Sequence, residues 1–457
     1  MTQDNKTFHI MTFGCQMNVH DSGWLARALM AYGWREAPED QATALIINTC
    51  SVRDKPEQKV YSLVGRLGQY CRKDNAKFVA VGGCVAQQVG EGFFERSDHV
   101  RLVFGTDQTG QVPEGLDKLY HDEVERLAML DFEDGFKLRK FHLPDDGPVS
   151  HLPGQAFVNI MQGCDNFCAY CIVPYVRGRQ KSRSTEDILA EVRALAEHGV
   201  RELTLLGQNV NSFSLDRHGD GTSFAQLLYK VAAIPGIRRL RFTSSHPKDL
   251  APEVINAFGE LPNLCTGLHL PMQSGSDRVL NAMGRGYDMA RYMGLVEGLR
   301  RARPEIALTT DLIVGFPGET EEDFLETLEA VREVGFESSF SFIYSDRPGT
   351  RSVRMEPKVE REVAQERLIR LQALQDELTS SALKAQVGTE TEVLLESPSK
   401  KQDGGDIVFW RGRDSCGRVV NIPLPADDSD LAGKLLTVHI DAAKKHSLMG
   451  KAVGEPW

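Results

Sequence analysis

The stretch that decides the fold of the central part of the chain is Gly163-Cys164-Asp165-Asn166-Phe167-Cys168-Ala169-Tyr170-Cys171. Its three cysteines are close enough in sequence for their thiolates to bind one metal centre. A [4Fe–4S] cluster normally takes four cysteine ligands. Three thiolates leave one iron open to an external ligand, and the amino and carboxylate groups of S-adenosylmethionine suit that position. The motif therefore predicts a cluster that reduces S-adenosylmethionine to yield a 5′-deoxyadenosyl radical.

A structural zinc site or a set of buried thiols is the alternative interpretation of this motif. Structural zinc is usually bound by a fourth cysteine or histidine at short spacing. His198 is too remote in sequence to complete the motif. We therefore predict that Cys164, Cys168 and Cys171 are metal-binding and catalytic.

Strand-like runs alternate with helix-like stretches over about 200 residues around the motif. The runs cover residues 157–163, 202–208, 239–245, 266–272, 307–315 and 338–345. Six such units predict an incomplete (β/α) barrel whose active site lies at the carboxyl ends of the strands. His246 lies at one of these ends. It either binds or protonates a ligand, or it is a structural histidine. The residues predicted there to bind the cofactor are Gly207, Gln208, Asn209, Ser244, Ser245, Gln273, Ser274, Asp311 and Gly315.

The first 110 residues contain a pattern that occurs three times. Residues 7–15, 42–50 and 76–84 are strand-like runs that end in Cys15, Cys50 and Cys84. Helical patterns lie between them, which predicts a parallel sheet whose carboxyl ends share one edge. The three cysteines would converge there as catalytic ligands of a second cluster with one open iron, which suits a sulfur donor. Packing as three core cysteines is the alternative.

The remaining cysteines and a basic run allow less specific interpretations. Cys71, Cys265 and Cys416 are predicted to be structural. The alternating charges after the cluster motif are either a solvated face or contacts to RNA phosphates or the cofactor carboxylate. They are Arg177, Arg179, Lys181 and Arg183.

Composition limits the class of protein. The chain has 457 residues, 26% of them charged, and its start lacks the features of a signal peptide. No apolar run is long enough to span a bilayer, so no membrane association and a cytoplasmic location are expected. Nine cysteines in a reducing compartment favour metal ligation or catalysis over disulfides. The net charge of −11 argues against a general nucleic-acid coat but permits a local basic surface for RNA.

Three domains are predicted. Residues 6–122 form a doubly wound parallel α/β domain, and an acidic linker places a boundary near residue 150. Residues 150–383 contain the partial barrel. Residues 357–386 are predicted to form a long helix that packs against it, with a lone coiled coil as the alternative. Residues 386–454 form a small β-barrel, with strands near 391–395, 407–410, 418–422 and 435–440.

The cluster motif, the three amino-terminal cysteines and the tail together resemble the radical S-adenosylmethionine methylthiotransferases. The tail resembles the TRAM domain, an RNA-binding β-barrel of that family. Residues 14–18, 48–62, 162–168 and 174–179 are similar to the subgroup that modifies isopentenyl-type adenosine in tRNA. The resemblance covers almost the whole chain.

This resemblance implies an activity, cofactors and partners. The enzyme would convert N(6)-dimethylallyladenosine next to the tRNA anticodon into its 2-methylthio derivative. It would use two S-adenosylmethionine molecules, one as methyl donor and one as radical source, and sulfur delivered at the amino-terminal [4Fe–4S] cluster. A radical is needed because the aromatic C–H at carbon 2 has no acidic proton. An electron donor such as flavodoxin or ferredoxin is expected, and we expect a monomer.

Other functions remain alternatives at this point. They are a methylthiotransferase for a ribosomal-protein aspartate, one for threonylcarbamoyl adenosine, and a non-catalytic iron–sulfur sensor. The tail from residue 385 has nine Lys and Arg against eleven Asp and Glu, so RNA contact there would use a local face. Candidates for that face, with solvated charge as the alternative, are Lys400, Lys401, Arg411, Arg413, Lys444 and Lys445.

Overall fold

The computed structural model describes residues 6–51, 54–135, 153–399, 407–426 and 430–457. The boundary predicted near residue 150 and the candidate RNA contacts Lys400 and Lys401 lie outside the described residues. Among the described helices, none combines the length and the apolar character that crossing a membrane requires.

The amino-terminal part is a six-stranded, fully parallel sheet in the order β2-β1-β3-β4-β5-β6. Its strands are β1 (Thr7–Thr12), β2 (Arg35–Glu36), β3 (Ala44–Thr49), β4 (Phe78–Gly83), β5 (Val100–Phe104) and β6 (Leu127–Met129). Its helices are α1 (Gln16–Ala31), α2 (Asp54–Lys73), α3 (Cys84–Val89), α4 (Gly92–Arg96) and α5 (Val112–Tyr120). This is the predicted doubly wound domain.

Helices cover both faces of this sheet because its central strands are apolar on both sides. Ile46 of β3 lies in one core cluster with Trp24 of α1 and Leu116 of α5. Ile47, on the opposite face, lies in a second cluster with Val64 of α2. Parallel strands buried on both faces are typical of doubly wound folds. The sheet therefore presents one edge of strand carboxyl ends, and this edge carries the cysteines.

The central part contains two parallel three-stranded sheets, in the orders β11-β10-β7 and β12-β13-β14. A parallel bridge between Leu240 and Leu264 connects them, which gives the predicted incomplete barrel of six strands. Its strands are β7 (Gln155–Asn159), β10 (Glu202–Leu206), β11 (Arg239–Phe242), β12 (Gly267–His269), β13 (Ala307–Val314) and β14 (Ser338–Ile343). A short antiparallel pair is formed by β8 (Met161–Gln162) and β9 (Lys181–Ser182).

Every barrel strand ends before the end that the sequence predicted. The polar residues and glycines after each strand leave the hydrogen-bonded ladder and turn across the barrel mouth. The helices that surround the barrel are α6 (Val173–Arg177), α7 (Thr185–Glu197), α8 (Phe224–Ala232), α9 (Pro252–Glu260), α10 (Asp277–Met283), α11 (Met289–Ala302), α12 (Glu321–Val334) and α13 (Arg361–Lys384). As predicted, the long helix α13 packs against the barrel, at β14 and α12.

The tail is a closed five-stranded barrel in the order β15-β16-β17-β19-β18. Its strands are β15 (Glu390–Pro398), β16 (Ile407–Arg413), β17 (Val419–Pro425), β18 (Leu435–Ala443) and β19 (Leu448–Ala452). Four of them match the predicted runs. The sequence did not predict β19, which closes the barrel by pairing with both β17 and β18.

The tail packs on the amino-terminal end of the central barrel, through buried charges. Arg239, at the start of β11, donates to the backbone oxygens of Glu392 (2.5 Å) and Arg413 (2.9 Å). Arg418 forms a two-pronged ion pair with Glu337, which precedes β14, at 2.6 and 2.7 Å. The tail therefore lies at the end of the barrel opposite to the cysteine loop.

Candidate iron–sulfur and cofactor site

One cavity is lined by all six cysteines that were predicted to bind clusters. It has a volume of about 330 Å³, within the range of pockets that bind small ligands. The carboxyl ends of the amino-terminal sheet lie on one side and those of the central barrel on the other. The cysteines are Cys15, Cys50, Cys84, Cys164, Cys168 and Cys171.

The loop with Cys164, Cys168 and Cys171 runs from β8 to α6 and is fixed by backbone hydrogen bonds. Cys164 N donates to Gly178 O at 3.3 Å, and Cys171 N donates to Cys168 O at 3.0 Å. Gly163 has φ +78°, and a Cβ there would lie 2.1 Å from Arg179 O. Only glycine fits at the start of this loop.

Two N–H groups from distant parts of the barrel approach the Cys168 sulfur. Arg285 Nη1 lies 3.4 Å from Sγ, and His246 Nε2 lies 3.8 Å from it. His246 Nδ1 accepts from Lys248 N at 3.2 Å, so in the neutral ring Nε2 carries the proton. Burial, with the charges of Arg285 and Lys248, lowers the pKa of His246 to about 2. His246 is therefore a neutral donor to the sulfur at physiological pH.

Burial also makes two thiols of this loop, those of Cys164 and Cys171, harder to deprotonate. It raises the pKa of Cys164 to about 11 and that of Cys171 to about 12. Iron binds the thiolate form, so cluster assembly at this loop releases protons.

The amino-terminal cysteines come together at the ends of three neighbouring strands. Cys15 caps the start of α1, Cys50 follows β3 and Cys84 is the first residue of α3. A Cβ on Gly14, at φ +135°, would lie only 2.3 Å from Cys50 Cβ, so glycine permits this close approach. A hydrogen bond from Cys50, with the charge of Arg177, lowers the pKa of Cys15 to about 6. Burial raises the pKa of Cys84.

Three of the four basic residues after the cluster motif are buried, so they are neither a solvated face nor free contacts for RNA. Arg177 Nη2 lies 3.3 Å from Asp21 Oδ2 of α1. Lys181 Nζ lies 2.5 Å from Asp107 Oδ2, and Arg183 is paired with a glutamate of α7 at 2.6 Å. Charge alternation in the sequence did not reveal that these side chains pair with buried carboxylates. The exception, Arg179, is exposed and pairs with Asp165 at 2.7 Å.

Arg177 connects the two parts of the cavity. It ends α6, the helix that follows Cys171, and its guanidinium reaches the amino-terminal cysteines. Burial disfavours its charge, but Cys84, Asp21 and Cys15 together raise the pKa of the guanidinium. Arg177 therefore remains a cation between the two cysteine sets.

The predicted cofactor contacts divide into two groups. Those that line the cavity are Gly207, Gln208, Ser244, Ser245, Gln273 and Asp311. Asn209, Ser274 and Gly315 are not among the described residues that line it. Asn209 is buried and donates to Asp249 Oδ2 at 2.7 Å, while Ser274 contacts Thr327 behind the wall. Gly315 N donates to Glu319 Oε1 at 2.9 Å. These three residues support the wall rather than face the cavity.

Of the five described non-glycine residues with a positive φ, three lie at the cavity. Phe167, Ser244 and Gln273 have φ values of +46°, +66° and +71°. All three line the cavity. Non-glycine residues in this conformation are costly and cluster at ligand sites. The strained backbone thus marks the same pocket as the cysteines.

Sequence reasoning missed two polar residues of the site. Arg285 lies 117 positions from Cys168, and no motif marks it. His269 lines the cavity at the end of β12, where its Nε2 lies 3.4 Å from Asp311 Oδ2. Its place at a strand end was the only signal in the sequence.

The donor chemistry of the two cysteine sets fits iron–sulfur clusters. Among the residues that the structure describes, no three His, Cys, Asp or Glu side chains meet as ligands of a single metal ion. In a [4Fe–4S] cluster each thiolate binds a separate iron, so three thiols around a shared space suffice.

The other three cysteines lie away from this cavity. Cys71 is buried in the core between α2 and the sheet. Cys265 is buried before β12, and Cys416 Sγ lies 3.1 Å from Thr266 Oγ1 at the interface with the tail. Their positions agree with the predicted structural role.

The described candidates for RNA contact in the tail are at least partly exposed. Arg411 and Arg413 share Glu396, at 3.6 and 2.9 Å. Lys445 lies 3.1 Å from Asp376 of α13, and Lys444 is exposed beside it. These charges are available at the surface of the tail but do not form a large basic patch.

Comparison with known proteins matches both the amino-terminal part and the central barrel to family models. Residues 158–331 match the model of the Radical SAM superfamily, and residues 7–105 match Uncharacterized protein family UPF0004. A protein of Nitratidesulfovibrio vulgaris strain Hildenborough is 60% identical over 454 residues, 99% of this chain and 100% of its own. One of Oleidesulfovibrio alaskensis strain G20 is 57% identical over 464 residues, 98% of this chain and 99% of its own. Both are named tRNA-2-methylthio-N(6)-dimethylallyladenosine synthase.

A solved structure shares the fold. The radical S-adenosylmethionine methyltransferase TsrM from Kitasatospora setae superposes with a TM-score of 0.54 at 14% identity, covering 74% of this chain and 72% of its own. The family resemblance seen in the sequence is confirmed by the close relatives. With such identity over nearly its whole length, the chain belongs to the tRNA-2-methylthio-N(6)-dimethylallyladenosine synthase family of radical S-adenosylmethionine enzymes.

Proposed function

We propose that this chain attaches a methylthio group to carbon 2 of N(6)-dimethylallyladenosine next to the anticodon of tRNA. The observation that carries the proposal is the shared cavity, in which two sets of three cysteines face each other. Relatives of 57–60% identity that are named for this reaction support it. tRNA as the substrate also implies that the activity takes place in the cytoplasm.

The two sets divide the chemistry between them in this proposal. When bound, a cluster at Cys164, Cys168 and Cys171 would supply the electron that cleaves S-adenosylmethionine, and a cluster at Cys15, Cys50 and Cys84 would supply the sulfur. Arg285 and His246 hold the Cys168 sulfur in place through their N–H groups. The chain's own part is to place the two reactive centres at one substrate.

Short connections between the two sets support this arrangement. Helix α6 begins two residues after Cys171, and its Val176 packs with Cys84. Val176 O also accepts a 2.9 Å hydrogen bond from Thr106 Oγ1, after β5. The same helix thus follows the loop of Cys171 directly and contacts the amino-terminal set at Cys84.

Polar groups at the barrel mouth suit the binding of S-adenosylmethionine. Gln208 Oε1 accepts from Gly163 N at 2.6 Å and so ties the end of β10 to the cysteine loop. Ser244, Gln273 and Asp311 lie further round the same wall. Ser244 and Gln273 would offer hydrogen bonds to the ribose and adenine of S-adenosylmethionine when it is bound.

The radical step requires a one-electron donor, for which flavodoxin or ferredoxin is suitable. We also propose that the protein acts as a monomer, because both cysteine sets lie in one chain. Sedimentation of the reconstituted protein with and without tRNA tests this point.

Mass spectrometry of tRNA nucleosides from cells without this gene tests the main proposal. The 2-methylthio nucleoside should disappear, and its N(6)-dimethylallyl precursor should accumulate in its place. Restoring the gene should reverse both changes, whereas a gene encoding Cys168→Ala should not. Loss of a modified ribosomal aspartate, with unchanged tRNA nucleosides, would show that the substrate is a protein.

A further inference from the structure

The inner wall of the central barrel carries an unusual aromatic residue on β14. This strand is the last of its sheet and pairs with β13. Phe340 lies in register with Asp311, and residues paired in this way point to the same face of a sheet. Asp311 lines the cavity of the cysteines. Phe340 therefore points into the barrel rather than toward the surrounding helices.

Phe340 is 53% exposed although it belongs to the inner wall. In a complete barrel, layers of inward-pointing side chains fill the interior. On the opposite face of β13, Leu312 and Val314 are fully covered by the core. The incomplete barrel thus keeps an open space beside Phe340. The apolar face of the ring becomes buried only when another molecule binds in this space.

The surroundings of Phe340 match a flat ligand with a polar edge. The His269 ring packs edge-on against it, with 6.2 Å between ring centroids and an angle of 66°. His269 is held by Thr309 Oγ1 at 3.0 Å and by Asp311 at 3.4 Å. An exposed aromatic face therefore stands beside an imidazole and a carboxylate that can form hydrogen bonds. A nucleobase combines a flat apolar face with donors and acceptors along its edge.

We propose that Phe340 stacks on the adenine of the RNA substrate, with His269 and Asp311 beside the polar edge of that base. This inference rests on the proposed function and identifies the residues that recognise the base. It also explains why β14 ends the sheet, since a further strand there would close the space that the base enters. Replacing an aromatic side chain that stacks on a base with alanine weakens binding of the nucleic acid by roughly 5- to 150-fold.

The test uses the full-length protein, reconstituted without oxygen, and an anticodon stem–loop RNA that carries N(6)-dimethylallyladenosine. We expect Phe340→Ala to raise KM for this RNA by roughly 5- to 150-fold, and Phe340→Tyr, which keeps the ring, to stay near wild type. The same assay without RNA measures 5′-deoxyadenosine formation and shows whether the ring contacts the cofactor instead of the base. Leu325→Ala is the control, because Leu325 is also exposed (48%) but lies on the outer helix α12.

Three outcomes would overturn the inference. Phe340→Ala with the wild-type KM would show that the ring does not touch the base. A Tyr variant as poor as the Ala variant would show that ring stacking is not what matters. A loss of 5′-deoxyadenosine formation without RNA would place the ring against the cofactor. If wild-type protein leaves this RNA unmodified, the proposed function fails first, and the two failures are thereby distinguished.

Discussion

Residue by residue, the two cysteine sets are held by different elements, so substitutions can separate their roles. We expect a Cys15→Ala, Cys50→Ala, Cys84→Ala variant to keep one cluster of roughly four irons after anaerobic reconstitution. It should still form 5′-deoxyadenosine, because Cys164, Cys168 and Cys171 are unchanged. It should form no methylthiolated base, because the set that is proposed to supply sulfur is absent. Iron analysis and nucleoside mass spectrometry measure both.

The complementary variant, with alanine at Cys164, Cys168 and Cys171, should form no 5′-deoxyadenosine and should also keep about four irons. Methylthiolated tRNA from the first variant would show that sulfur reaches the substrate without the amino-terminal set. The convergence of Cys15, Cys50 and Cys84 would then contribute only to packing.

Arg285 provides a second residue-scale prediction. Its positive charge and hydrogen bond at 3.4 Å stabilise electron density on the Cys168 sulfur. We expect Arg285→Met to lower the reduction potential of the barrel cluster by about 60 mV, a tenfold change in a one-electron equilibrium. Arg285→Lys keeps the charge and should change the potential less.

A redox titration followed by electron paramagnetic resonance measures this potential. The variant that lacks the amino-terminal cysteines is the suitable background, because one cluster then gives the signal. Arg301→Met is the control, since Arg301 is exposed on α11 and pairs with Glu297. An unchanged potential in Arg285→Met would show that the contact with Cys168 does not tune the cluster.

The sequence predicted individual site residues only where spacing or strand position marked them. The short spacing of Cys164, Cys168 and Cys171 and the repeated strand ends at Cys15, Cys50 and Cys84 predicted that each set would come together, and all six residues line one cavity. Arg285 and His246 reach Cys168 across 117 and 78 positions, and no local pattern predicts such contacts. Distant partners of a ligand follow from the packing of the whole barrel.

At the level of helices and strands, long apolar runs were predictable and short edge strands were not. The six barrel strands and the closed tail were anticipated from alternation and turns. The amino-terminal sheet was predicted only in part, because its edge strands β2 and β6 and its inner strand β5 were missed. Strand β19 was also missed, because Met449-Gly450-Lys451 carries little strand preference and is held by its neighbours.

Helix α6 is the element on which the juxtaposition of the two cysteine sets depends. Arg177 at its end is 3% exposed and pairs with Asp21, which is 5% exposed. Removing the cation from a buried pair leaves a buried carboxylate and costs about 3–5 kcal/mol. We expect Arg177→Ala to lower the free energy of unfolding of the amino-terminal part by this amount. Urea unfolding measures it through the fluorescence of the buried Trp24 and Trp34, in a background in which the tail residues Trp410 and Trp457 are replaced by phenylalanine.

Two further variants make this prediction specific. Asp21→Asn combined with Arg177→Ala should recover part of the loss, since the uncompensated charge is then absent. Arg301→Ala breaks a surface pair in which both side chains are about three-quarters exposed, and should cost less than about 1 kcal/mol. Equal effects of Arg177→Ala and Arg301→Ala would mean that the buried pair does not stabilise the contact between the two parts.

In the whole molecule, the tail and the cavity lie at opposite ends of the central barrel. The tail contacts the start of β11 and the residue before β14, whereas the cavity lies beyond the strands' carboxyl ends. Strands β11 and β14, of four and six residues, separate these ends by roughly 13–20 Å. An RNA that contacts both must extend along the side of the barrel. A folded anticodon arm is long enough to do so.

The way in which the tail is packed also decides how its role should be tested. Deleting it would expose Arg239, which is 3% exposed, and would remove the partner of Glu337. A truncated protein would therefore lose stability for reasons unrelated to RNA. Substitutions of exposed tail residues leave this interface intact.

We expect the exposed Lys444 and Lys445 to bind RNA phosphates while the tail performs no chemistry. A Lys444→Ala, Lys445→Ala variant should bind tRNA more weakly, and the slope of log affinity against log salt should fall by roughly 0.7–0.9 for each lost phosphate contact. Fluorescence anisotropy over a range of salt concentrations measures this slope. Formation of 5′-deoxyadenosine without tRNA should be unchanged, because the cavity lies at the other end of the barrel. Lys230→Ala, on the outer helix α8, should leave the slope unchanged. If the double variant shows the wild-type affinity and slope, these two lysines do not contact the RNA.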